Sequence, residues 1–182
     1  MKVALKRLTE NELELLMNWR MREDISATML TSVNLTLEGQ YKWFKRIDND
    51  ESQIRWVIYY DDMPIGSMYI TDIDYSNKRC ESGWFIAEQK HRSLKLAKDL
   101  QQNVYDYAFD ILKMNRIYGY VINSNTHLLN FLVRVCGLNS EGVLQQHVYK
   151  DGEFRDIAVV GLTKDDWQNK KLKFKYEKFF IE

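Results

Sequence analysis

Residues 84–102, WFIAEQKHRSLKLAKDLQQ, run from an apolar strand through a basic turn into a helix. That shape suits an anion, because unpaired amides and the helix dipole favour phosphate at a helix N-terminus. The turn and first helical residues are Arg92, Ser93, Leu94, Lys95, Leu96 and Ala97, preceded by Lys90 and His91. No glycine lies among them. Two readings stay open: a phosphate cradle built without glycine, or a helix start carrying solvated charges. Three further residues could move protons. Glu81 lies mid-strand and shares a face with Gly83 and Phe85, while Ser82, Trp84 and Ile86 take the other face. His147 has an ordinary pKa of about 6.5, suited to proton exchange. A hairpin turning at Asp151-Gly152 would bring Asp156 across from it, where a carboxylate could orient the imidazole. Surface or packing roles fit Glu81 and His147 equally well. Trp19, Trp84 and Tyr149 offer aromatic faces for a sugar or base, and Arg20 offers a fork for a diphosphate. Trp19 fits a buried helix face as well.

The elements that must carry these residues follow from pattern. Strands are expected at 3–8, 53–60, 65–74, 78–87 and 116–122. Thr9 with Glu12 three residues on is a capping box, opening a helix to residue 20. A second helix spans 36–47. Apolar Ala97, Leu100, Val104, Tyr107, Ala108 and Ile111 recur at threes and fours, giving a long helix over 94–113 with one buried face. A turn and helix then end at Gly137, followed by the hairpin over 141–163 and a short helix at 164–170. The tail, KKLKFKYEKFFIE, reads as a final strand, a docked helix or a dimer contact. The order βααβββαβαββ gives an α/β (α+β) fold. It is a mixed, mostly antiparallel sheet of about seven strands with helices on both faces. Strands 78–87 and 116–122 run parallel through a right-handed crossover. Parallel neighbours that diverge at their C-terminal ends leave a slot for a ligand.

Bulk properties narrow the classes. A chain of 182 residues predicts one domain over 1–182. With 26 basic against 26 acidic residues there is no basic field for nucleic acid. No apolar run approaches the ~20 residues of a bilayer span, and MKVALKRLTENE is too short in apolar length for a signal peptide. Two cysteines form no disulfide framework, and three scattered histidines lack metal-ligand spacing. The expected setting is cytoplasmic, with neither a membrane nor a nucleic acid as partner and no metal.

The element order resembles the GNAT superfamily of acyl-CoA-dependent N-acyltransferases. LKRLTENELELLMNWRMRED resembles the opening of the branch that holds ribosomal-protein N-terminal and bacterial aminosugar acetyltransferases. EGVLQQHVYKDGEFRDIAVVGLTKDDW (141–167) matches that branch's C-terminal hairpin, with Gly142-x-Leu144 leading to Asp151-Gly152 and then Asp166-Trp167. Trp19-Arg20 together with HVYKDGEFRD is most similar to enzymes acylating nucleotide-linked aminosugars, such as those of the pseudaminic-acid pathway. The resemblance implies an acyl-CoA co-substrate, acetyl-CoA or 3-hydroxybutyryl-CoA. Its diphosphate would sit on the 92–97 turn, which matches Arg/Gln-x-x-Gly-x-Gly/Ala with Lys95 at the first glycine. A lysine amide can serve there if the turn needs no positive φ, and its ammonium could add charge with Lys90, His91 and Arg92. The resemblance also implies oxyanion donors among the backbone amides of Phe85, Ile86 and Ala87, a coenzyme contact from Asn125, and Glu81 or His147 with Asp156 as base. The tyrosine acid of the family is replaced by Leu132 or Val133, with one extra residue before Gly137. The expected activity is acyl transfer to the amine of a UDP- or dTDP-linked deoxyaminosugar for surface-glycan (lipopolysaccharide) synthesis, with a homodimer as a further partner. Protein N-terminal acetylation and a catalytically degenerate acyl-CoA-binding module are the alternatives.

Overall fold

The computed structural model describes residues 2–182 and shows one eight-stranded sheet. The elements are β1 Val3–Arg7, α1 Leu13–Met21, α2 Glu23–Ser26, α3 Leu37–Ile47, β2 Ile54–Tyr60, β3 Met63–Asp74, β4 Arg79–Ile86, α4 Leu94–Asp106, β5 Arg116–Ile122, α5 Thr126–Asn130, β6 Asn139–Lys150, β7 Glu153–Thr163, α6 Lys164–Lys171 and β8 Phe180–Ile181. Their order across the sheet is β6-β7-β5-β4-β3-β2-β1-β8. The seven expected strands are present, and the tail adds the eighth by pairing parallel to β1. The Thr9/Glu12 capping box forms as its spacing requires, although the first turn is 3-10 rather than α. Thr36 caps α3 through its hydroxyl. Asp151 and Gly152 both take positive φ, 50° and 83°, which a tight two-residue hairpin demands.

β4 and β5 run parallel, but their pairing is short. The ladder covers Arg79, Cys80 and Glu81 against Arg116, Ile117 and Tyr118. β4 continues against β3 as far as Ile86, and β5 continues against β7 as far as Ile122. The two strands therefore splay beyond Glu81, and the slot expected from the strand order exists. The long helix also departs from the sequence pattern. α4 ends at Asp106 and passes into a π turn, Tyr107–Ile111. A second π turn, Phe131–Val135, follows α5, with the Cys136 amide donating to Phe131 O. A π turn holds one residue more than an α turn, so it absorbs the extra residue counted before Gly137.

Each face of the sheet has its own core. On one side Leu96, Leu100, Val104 and Phe109 of the α4 region pack on Trp56, Ile58, Met68, Ile70 and Cys80. On the other, Leu13, Leu16, Trp19 and Phe44 pack on Val57, Phe85 and Ala87. The tail covers the outer side of α4, which is why that helix buries polar Asp99 and Asn103. Asn103 accepts from the Phe179 amide and donates to Glu177 O. Asp106 accepts from Trp167, Tyr176 and Lys178 together. No helix among the described residues is long and apolar enough to cross a membrane.

Candidate functional site

The slot between β4 and β5 has a donor edge. Arg116 donates its amide to Lys78 O, so even-numbered residues of β4 turn their backbone groups toward β5. Ala87 donates to Ile65 O, so odd-numbered residues turn toward β3. Strand alternation then leaves the N–H groups of Trp84 and Ile86 on the open edge beyond the ladder. Of the three expected oxyanion donors only Ile86 has its amide there; the correction for Phe85 and Ala87 follows from parity. Their side chains are buried in the α1 side of the core.

Downstream of the slot, Ser93 caps α4 by accepting from the Leu96 amide at 3.2 Å, and the Ala97 amide donates to Ser93 O. The first-turn amides left for a diphosphate are those of Leu94 and Lys95. Residues 92–97 are absent from the positive-φ positions, so the turn needs no glycine for its conformation and Lys95 is accommodated without strain. The site fits a diphosphate through its backbone. The expected cationic help is corrected. Lys95 Nζ binds Asp99 at 2.7 Å and Glu177 at 3.2 Å, and its side chain runs along the helix. Arg92 donates to Ile86 O at 2.8 Å, Ala87 O at 3.1 Å and Asp24 at 2.6 Å. Asn125 caps α5, its Oδ1 accepting from Leu128 at 3.2 Å. Leu132 and Val133 are both packed into the core, so neither supplies a proton.

Glu81 faces the α1 side of the sheet with Gly83 and Phe85, as parity predicts. Burial raises its carboxyl pKa, Asp72 raises it further, and Arg55 opposes them. Asp72 sits on a β3 bulge at φ 50° and accepts from the Tyr118 hydroxyl, beside Glu81 in the register. Sequence reasoning missed most of what surrounds Glu81. Tyr69, opposite Gly83, lays its phenol across that glycine. Arg55, opposite Tyr69, stands 5.2 Å from its ring and 5.1 Å from that of Trp43. Burial lowers the pKa of Arg55 and of Arg20, and each guanidinium is close enough to feel Tyr69. Arg55 also feels Arg20. Arg55 makes a side-chain hydrogen bond to Gln53. Among the described residues neither arginine forms an ion pair. The signal in the sequence was β2's alternation, which puts Arg55 on the Val57 face; only the register brings Tyr69 and Glu81 beside it.

An alanine at 83 would place its Cβ inside the Tyr69 phenol. We expect Gly83→Ala to push that ring off the floor, cost about 1–3 kcal/mol in stability and raise the KM of the acceptor more than that of the acyl donor. Thermal melts and two-substrate kinetics check both; equal changes in the two KM values would contradict the placement of Tyr69.

The remaining predicted residues fall elsewhere. Asp156 accepts from the Gln146 amide at 2.8 Å, within a bulge between Leu144 and Val148. It makes no hydrogen bond to His147, so the expected dyad is corrected. His147 is exposed and lies 6.3 Å, centroid to centroid, from Tyr120. Three strand spacings separate β6 from β4, about 14 Å at the usual interval, so His147 and Glu81 are separate sites. Trp19 is 5% exposed and packs edge-on against Phe85, which makes it core rather than ligand surface. Trp84 points to the α4 side, its indole N–H donating to Gln101 at 2.7 Å. Arg20 remains on the Glu81 face. Tyr149 is exposed beside Phe154 at the hairpin tip. Next to it Lys150 is buried and donates to Ser26, Ala27 and Met29 carbonyls, so the tip is pinned to the segment after α2. Burial pushes the Cys80 and Cys136 thiols up to about 12, which leaves them unreactive.

The family model for an acetyltransferase (GNAT) domain matches residues 2–135. Acetyltransferase PseH of Campylobacter jejuni (subsp. jejuni serotype O:23/36, strain 81-176) is 28% identical over 70% of this chain and 79% of its own. The spermidine N(1)-acetyltransferase of Vibrio cholerae is 26% identical over 58% of this chain and 60% of its own. A crystal structure of the Vibrio cholerae spermidine N-acetyltransferase with CoA and spermine superposes with a TM-score of 0.85 at 20% identity, covering 92% of this chain and 99% of that one.

Proposed function

Because the chain belongs to the GNAT acetyltransferase domain family, we propose that it transfers an acetyl or short hydroxyacyl group from its coenzyme A thioester to the amine of a nucleotide-linked aminosugar. Glu81 removes the proton from the attacking ammonium; a half-buried carboxylate with a raised pKa suits that task. The open-edge N–H groups of β4 receive the developing oxyanion. No acid stands at Leu132 or Val133, and none is required, since a thiol of pKa about 8.5 departs as thiolate. The amides of Leu94 and Lys95 hold the diphosphate of the donor.

The observation that carries the choice of acceptor is the pair Arg20 and Arg55. Two partly buried guanidiniums that form no direct ion pair among the described residues suit an anionic acceptor, as a nucleotide diphosphate is. The C-terminal hairpin, which resembles that of aminosugar enzymes, supports the same reading. A polyamine is the second reading, because curated relatives carry that substrate in their names. Its ammonium groups would meet two like charges where the acceptor must enter.

Free-thiol release from acetyl-CoA, measured in parallel with UDP- and dTDP-linked deoxyaminosugars, spermidine and N-terminal peptides, tests this. The highest kcat/KM is expected with a sugar nucleotide. A higher value with spermidine or a peptide overturns the acceptor assignment. Coenzyme A binding with no turnover on any acceptor points to a catalytically silent binding module.

A further inference from the structure

Arg92 stands where the family resemblance places a phosphate contact, yet its guanidinium is used otherwise. Its Nε donates to Ile86 O, and its Nη2 donates to both Ala87 O and Asp24 Oδ2. Ile86 O lies on the β4 edge that would pair with β5 if the strands did not splay. Arg92 fills that pairing position, while the next amide, Ala87, is drawn to Ile65 O at 2.7 Å on the opposite side. The last peptide units of β4 are thus held away from β5.

The third bond leaves the donor side altogether. Asp24 belongs to α2, the four-residue corner after α1. Its carboxylate also takes a two-pronged bond from Arg22, at 3.0 and 2.9 Å. Hydrogen bonds from Arg22 and then Arg92 hold its pKa well below the usual carboxylate range. At the end of α2 and just after it, Lys150 binds the carbonyls of Ser26, Ala27 and Met29. The corner pairs with no strand. Beyond Ile25, which is buried in the core, its polar moorings are two long cations, one from the donor turn and one from the C-terminal hairpin.

We propose that Arg92 is a positioning residue that couples the two substrate sites: it holds the β4 end open for the acyl donor and, through Asp24, orders the α2 corner when the donor is bound. Ordering that corner steadies α1, which carries Arg20. The proposal does not depend on which acceptor is used.

Hydrogen exchange with and without coenzyme A, together with calorimetry, tests it without an acceptor. In the wild-type chain coenzyme A should slow exchange of the amides at 24–29 by about ten-fold, the scale of one charged hydrogen bond. Asp24→Ala keeps the Arg92 bonds to β4, so its affinity for coenzyme A should stay within about two-fold, while the slowing at 24–29 disappears. If that variant does not fold, Asp24→Asn removes the charge at constant size and should behave in the same way. Lys150→Met should speed exchange of the corner in both states yet retain the response to coenzyme A. Arg92→Lys, which cannot span three acceptors, should weaken coenzyme A and abolish the response. A wild-type chain without the slowing, an Asp24 variant that keeps it, or an Asp24 variant that loses coenzyme A as severely as Arg92→Lys overturns the proposal.

Discussion

Glu81→Gln is expected to lower kcat by about 10²–10⁴-fold, the usual contribution of a positioned general base, and to leave the chain no less stable at pH 7. The stability half of this result follows from the sign of the pKa shift. Burial raises the folded-state pKa of Glu81 above its ordinary value. The folded chain therefore holds that proton more tightly than the unfolded chain. Whatever stability the group contributes is present below the unfolded pKa and is lost as pH rises through the folded one. At neutral pH the ionised carboxylate is a burden that glutamine removes. The melting difference between variant and wild type should shrink as pH falls through the raised folded-state pKa toward about 4.3, and stay constant below that, where both states of the wild type are protonated. In wild type the acid limb of kcat/KM should lie above the ordinary glutamate range, and the variant should lack it. A Glu81→Gln variant with wild-type kcat would remove Glu81 from the chemistry. A variant that is inactive because it melts lower at pH 7 would contradict the sign of the shift.

The second large effect belongs to Arg55. Truncating a charged group that hydrogen-bonds an anion costs about 1.5–3 kcal/mol, or roughly 10- to 150-fold in affinity at 1.4 kcal/mol per tenfold. Arg55→Ala should therefore raise the KM for a sugar nucleotide by about that factor while leaving the KM for acetyl-CoA unchanged. Arg55→Lys keeps the charge but loses the fork and its packing over Trp43 and Tyr69, so it should recover only part of the loss. Arg55→Glu reverses the local field; its activity with spermidine should equal or exceed that of wild type, although sugar-nucleotide activity falls. Arg20 and Arg55 interact, so Arg20→Ala with Arg55→Ala should not be additive. A unit change in KM for every sugar nucleotide on losing Arg55 would leave the anionic acceptor without support.

These two residues also show what a sequence can disclose. Glu81 was legible because strand parity alone decides its face, and its burial needed only a helix layer above it. The Thr9/Glu12 capping box, the Asp151-Gly152 turn and the period of α4 as far as Ala108 are local signals of the same kind, and the structure contains them; Ile111, at the end of the π turn, is exposed instead of buried. Arg55 carries no such signal. Its role depends on three strands being in register, so that Tyr69, Gly83 and Glu81 come under it. The Asp156–His147 pair was misplaced for a related reason. A bulge at Gln146, with φ 48°, shifts the register of β6 after Leu144, and no pattern in QQHV announces it. Arg92 was read as a free charge because its carboxylate partner, Asp24, lies 68 residues away; Lys95 has one distant partner, Glu177, 82 residues on, but its closer one, Asp99, stands at i+4 and was legible in the sequence. Trp19 was the reverse case: an aromatic beside an arginine suggests a ligand face, but its period with Leu13 and Leu16 places it in the core.

A structure of the chain with coenzyme A bound tests the donor site most directly. The diphosphate should accept hydrogen bonds from the Leu94 and Lys95 amides, with the sulfur in the gap between β4 and β5 near the amide of Ile86 and on the way to Glu81. A diphosphate bound elsewhere on the surface, or a gap closed by β4 pairing with β5 beyond Glu81, would contradict it.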